Sequence, residues 1–146
     1  MAFLTVSTLR AKVAEILGGV SALTGETVLV DDGRQKEQFE ETLADRGIAV
    51  IVGPIMDLKQ QVMDPGVPLV TASFVVEFYE NPERNPHAAA KNILEVISAC
   101  VLALIRWDPG NGEYQFEADP ELCGLIADAP GQRGYVCLFS KQVVLG

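Results

Sequence analysis

The chain has 146 residues, 49% of them apolar and 21% charged, and 20 Asp and Glu against 11 Lys and Arg give a formal net charge of -9. That length suits a single domain over residues 1–146 whose core needs no disulfide or metal staple. The charge balance argues against sequence-independent nucleic-acid binding, which needs cations to displace counterions, and the composition excludes a disordered chain.

Ser7 is placed to cap a first helix running to about Leu17, with Leu9, Val13, Ile16 and Leu17 on one stripe and Gly18-Gly19 ending it. Thr27 to Val30 reads as a short strand. Asp31-Asp32-Gly33 turns into a second helix from about Arg34 to Arg46, with a thin stripe of Phe39 and Leu43 and a left-handed stop at Gly47. Ile48 to Val52 is apolar at every position, as expected for a strand covered on both faces. PIMDLKQQVMDPGVP then reads as an extended arm that reverses at Asp64-Pro65-Gly66. The chain returns through Leu69 to Tyr79 with Ala72, Phe74, Val76 and Phe78 on one face and Thr71, Ser73, Glu77 and Tyr79 on the other.

A third helix follows the proline-bounded corner ENPERNP, with Asn85 as the expected cap and Pro86 at its first position. Ile93, Ile97, Val101 and Leu104 centre its apolar stripe; Lys91, Glu95, Ser98 and an out-of-place Leu102 lie opposite. Trp107 is expected to seal the core edge before Asp108-Pro109. Tyr114 to Glu117 reads as a short strand, Asp119 to Ala129 as a loop or helical turn, and Arg133 to Val144 as a final strand. The order α-β-α-β-β-α-β-β predicts an α/β (α+β) fold: a mixed, mostly antiparallel sheet with helices packed on it and a protruding β-hairpin.

Mean hydropathy is +0.22, high for a domain of this size. Two causes fit: apolar surface that meets other chains, or a sheet covered on both faces. No apolar run is long enough for a membrane span, and MAFLTVSTLRAK has none of the marks of a secretory signal.

Catalytic chemistry is sparse. Asp31-Asp32 follows the apolar run Val28-Leu29-Val30, at the kind of strand end where ligands and metals bind, yet the pattern equally makes an Asx turn and helix cap. His87 is the only histidine, so a triad or His-based metal site would have to be built around it. Cys100 and Cys137 read as core residues, and Cys123 falls in a region expected to be a loop with no strongly basic neighbours. No glycine pattern opens a helix as a phosphate loop does. No catalytic residue, cofactor or metal is therefore expected.

Taken together, the N-terminal helix, the VDDG turn, the Val/Ile strand, the variable hairpin, the strand ending in VVEFYENPERNP and the helix closing with LALIRWDP resemble small tail-terminator or tail-completion proteins of long-tailed bacteriophages. The resemblance covers nearly the whole chain and rests on element order and on the ENPERN…LIRWDP segment. It implies a virion protein, assembled in a bacterial host cytoplasm, that forms a ring, commonly a hexamer. Such a ring caps the tail tube, halts its growth and docks the head connector or stopper, while DNA passes through its lumen without specific binding.

The resemblance implies that the hairpin Met56 to Leu69 reaches a neighbour or the tube, and the residues are compatible with that. Met56, Leu58, Val62, Met63, Val67 and Leu69 give the hairpin adaptable apolar contacts, Glu83 and Arg84 offer an interchain ion pair, and Leu102 offers a contact on the third helix. Two alternatives stay open: a head-side connector or stopper, and a small α/β ligand-binding or enzymatic domain using Asp31 and Asp32.

Overall fold

A computed structural model describes residues 4–23, 26, 28–31, 42, 47–64, 67–81, 92–108, 115–129 and 132–145, with backbone alone over 60–64, 67–68, 119–123, 126–129 and 132. The elements are α1 (Val6–Gly18), a 3-10 turn (Ser21–Leu23), β1 (Val28–Val30), β2 (Ile48–Asp64), β3 (Val67–Glu80), α2 (Ile93–Ile105), β4 (Glu117–Ala129) and β5 (Gln132–Val144). The five strands form one sheet in the order β1-β2-β3-β5-β4. Among the described strands β1–β2 pairs parallel and the other pairs are antiparallel, with an isolated parallel bridge Thr5↔Val144, so the expected mixed, mostly antiparallel sheet with helices packed on it is what the chain forms.

The alternation in β3 decides which face is which. Ala72, Phe74, Val76 and Phe78 are fully buried against Leu9, Val13 and Leu17 of α1 and Ile93, Ile97, Val101 and Leu104 of α2. Phe74 anchors an aromatic group, stacked on Phe139 at 5.7 Å and edge-on to Phe116 at 5.9 Å. Ile48 to Val52 is buried at every position. Ile48, Val50 and Val52 join that core, while Ala49 and Ile51 point to the other face.

Helix boundaries differ from expectation at two caps. Thr5, not Ser7, precedes α1, and its N–H donates to Thr8 Oγ1 at 3.0 Å. Asn92 caps α2, which begins at Ile93: its Oδ1 accepts the Leu94 N–H at 2.9 Å from an extended backbone (ψ 129). Gly47 has the expected left-handed φ of 78, and its carbonyl accepts the Asn81 N–H at 2.8 Å, closing the base of the β2–β3 hairpin. Of the helix expected over Arg34 to Arg46, Thr42 is described and is helical, while its other residues, like Asn85 and Pro86, lie outside the described residues.

A larger correction concerns 119–129. It is strand, paired with β5 from Glu117↔Ser140 to Ala129↔Gln132. Pro120 and Gly124 weaken the local strand signal, but Pro120 falls in a register break on the sheet's edge strand, where a missing N–H costs no ladder bond. Gln115 and Phe116 precede β4 rather than forming a separate strand; Tyr114 lies outside the described residues.

β2 is bulged where it leaves the core. Gly53 and Pro54 lie between the pairs Val52↔Val76 and Ile55↔Phe74, and Met56 is the extra residue before Asp57↔Ser73. Glycine is required at the first bulge by close approach: a Cβ on Gly53 would lie 2.6 Å from Val75 Cγ2 and 3.1 Å from the Val75 carbonyl oxygen. Gly53→Ala is expected to destabilise the fold by about 1–3 kcal/mol, read as a lower urea midpoint with an unchanged m-value.

Candidate functional site

The β2–β3 hairpin is paired out to its tip, with a third register shift between Gln60 and Val62. Pairing runs through Leu58↔Ala72, Lys59↔Thr71 and Val62↔Leu69 to Asp64↔Val67, leaving a two-residue connection. β1 ends opposite Val52, so from Gly53 outward the far edge of β2 has no strand partner among the described residues. Met56 is 62% exposed and Leu58 45%, flanked by exposed Pro54, Asp57 and Lys59. Proline, charge and bulges are the devices that keep an open edge from pairing indiscriminately.

Leu69, at the base of the outer arm, is half-buried and paired to both Val62 and Val144. Val62, Met63 and Val67 have the hairpin positions expected of them as far as the backbone places them. Glu83 and Arg84 lie outside the described residues, as do His87 and Asp32.

Leu102 is 39% exposed on the outward side of α2, as its place opposite the stripe requires. It lines a shallow groove of about 410 Å³ with Ile16, Val20, Ala99, Ala103 and Arg106. This groove between α1 and α2 was not legible in the sequence, because it depends on how the two helices meet.

Asp31 sits at the carboxyl end of β1, and its backbone is already engaged. Its N–H donates to the Val52 carbonyl at 2.8 Å, and its carbonyl accepts from Arg10 Nη2. Arg10 Nε donates to the Gly53 carbonyl at 3.1 Å. One guanidinium from α1 thus clamps the ends of both parallel strands, a role that periodicity could not assign to Arg10.

A second feature missed in sequence is Lys141, only 1% exposed. Its Nζ lies 5.6 Å from the ring centres of both Trp107 and Phe116 and donates to the Gln142 carbonyl at 3.1 Å. It borders a polar cavity of about 420 Å³ with Thr71, Gln115, Glu117, Ser140 and Gln142. The signal was present: Cys137, Phe139, Lys141 and Val143 share one face of β5, so the period of two points the lysine inward. Trp107 packs on the core edge beside Phe116 at 5.5 Å, as its position after α2 requires.

Titration is perturbed at two described groups. Burial pushes the Cys100 thiol up to about 12, leaving it neutral and inert. Burial, then the Glu77 carboxylate that accepts the Tyr79 hydroxyl at 3.0 Å, raises Tyr79 to about 12. Among the described residues no group of three or more His, Cys, Asp or Glu side chains could hold a metal, and no helix is long and apolar enough to cross a membrane.

No protein-family model and no curated protein matches the sequence. Among solved structures, one from Akkermansia muciniphila is similar at 11% identity and a TM-score of 0.35, covering 98% of this chain and 80% of its own. A second from the same organism, described as lacking its transmembrane region, is similar at 9% identity and a TM-score of 0.34, covering 97% and 87%.

Both raised groups bind their protons more tightly in the folded state, so their stability contribution is complete below the unfolded values of 9.0 and 10.0 and is lost as pH rises towards 12. Denaturation midpoints are expected to fall across that window, and Cys100→Ala should remove the part of the fall that begins near 9.0. At pH 8 iodoacetamide should reach Cys100 only after unfolding, as peptide masses would report.

Proposed function

We propose that this chain is a structural subunit that assembles as a ring at the head-proximal end of a phage tail, ending tube growth and meeting the head connector. The observation that carries the proposal is the arm. A hairpin paired to its tip holds Met56 and Leu58 exposed, so its apolar surface is presented at little entropic cost. The resemblance of the element order and of ENPERN…LIRWDP to tail terminators supplies the biological setting.

A closed ring needs a heterologous interface, in which one surface meets a different surface on the next copy. Met56 and Leu58 supply the first surface. The groove at Leu102 supplies the second, and its Arg106 complements Asp57, which lies between the two apolar arm residues. Pairing to β3 holds the arm in the sheet, so it reaches a neighbour's groove and not its own.

The experiment is mass in solution by light scattering, alone and with tail tubes, backed by imaging of tube ends. Wild type is expected to form rings of several copies or to cap tubes. Paired Met56→Asp and Leu58→Asp, and separately Leu102→Asp, should each give a folded monomer with stability within about 0.5 kcal/mol of wild type. Mixing the two variants restores one intact contact and should give a dimer. Deleting Leu58 to Gly66 should also leave a folded monomer. A wild-type chain that stays monomeric at high concentration and with tubes present overturns the proposal.

A further inference from the structure

We propose that Cys123 and Cys137 form an oxidation site, a disulfide that closes across the β4–β5 pair. The two residues are direct register partners. Opposed residues in an antiparallel pair have Cα atoms about 4.5 or about 5.5 Å apart, depending on the pair type. A disulfide spans Cα separations of about 4.4–6.8 Å, so either pair type admits the bond without moving the backbone. Opposed positions also share a face of the sheet, and Cys137 faces the core beside Val76.

The pair lies near the sheet's rim. β4 is the edge strand, Gly124 is exposed beside Cys123, and Leu125, two positions along the same face, is 55% exposed. The remaining thiol, Cys100, is buried on α2 and not in the β4–β5 pair, and burial raises its pKa to about 12.

The bond also has something to fix. Between Ala118↔Phe139 and Cys123↔Cys137, residues 119–122 of β4 face only Leu138 of β5. Cys123 is where the ladder resumes after that bulge, and register is weakest on an edge strand interrupted in this way. A covalent link at the first restored pair pins it. With a diazene oxidant such as diamide, two S–H bonds break and one S–S bond forms, and the two electrons and two protons reduce N=N to a hydrazine.

The test uses the full native chain treated with diamide, quenched with iodoacetamide and digested with trypsin. Each cysteine falls on its own peptide: Cys100 in 92–106, Cys123 in 107–133 and Cys137 in 134–141. The expected product is an intramolecular link between peptides 107–133 and 134–141, an intact mass lower by about 2 Da, and a melting temperature several degrees higher that dithiothreitol reverses. Cys100→Ser should keep the link and Cys137→Ser should lose it. Recovery of peptides 107–133 and 134–141 separately, a link from Cys123 to Cys100, or a link joining two chains overturns the proposal.

Discussion

β3 is hydrogen-bonded on both sides along almost its whole length, to β2 from Ile48↔Glu80 outward and to β5 from Leu69↔Val144 to Glu80↔Arg133. One face of it, from Ala72 to Phe78, carries the bulk of the central core. Once this strand is placed, register propagates to every other strand, because a slip of one residue would expose Phe74 and Phe78 and bury Ser73 and Glu77. The two helices then have one face to cover, and their stripes fit it.

The departure of β2 from regular pairing follows from that placement. β2 pairs to β3 throughout, yet among its described residues the buried ones run from Ile48 to Gly53 and those beyond are half-buried or exposed. The bulges at Gly53-Pro54 and Met56 absorb the change, each inserting a residue that resets which side chains face inward. Beyond them the strand carries Asp57 and Lys59, and the sheet continues past the helices as an arm. Arg10 reinforces the transition from the helical layer by holding Gly53 and the end of β1 together. The same residues that end the core therefore begin the exposed surface.

Much of this was legible in the sequence where the physics is local. The alternation of β3, the all-apolar Ile48 to Val52 and the stripe of α2 each mark a buried face, and the two-residue reversal near Asp64 marked the hairpin. Legibility failed where a choice depends on distant partners. Asn85 and Asn92 are the same residue type, and only the docked helix distinguishes the one that caps it. β4 was invisible because its strand character comes from β5 and not from DPELCGLIADAP itself. The groove at Leu102 arises from two helices meeting, and the lysine over Trp107 and Phe116 from three segments converging.

The apolar surplus in the composition has two sources, and the structure separates them. Leu29, Ala49 and Ile51 are buried on the sheet face away from α1 and α2, so two-sided cover accounts for part of it. Among the described residues, the large apolar side chains that remain outside are Met56, Leu58, Leu94, Leu102, Leu125 and Leu145. Exposed leucines scattered singly need no explanation, which sets aside Leu94 and Leu145. Leu125 rides on the outer strand, where cover from the helices runs out. Met56 and Leu58 are different in kind: they lie close together, at and just beyond a bulge, on a strand whose open edge is guarded by proline and charge. An unfavourable exposure on a segment already protected against indiscriminate pairing is the arrangement a selective protein contact requires, and in the proposed ring the groove at Leu102 and Arg106 is the surface that would receive it.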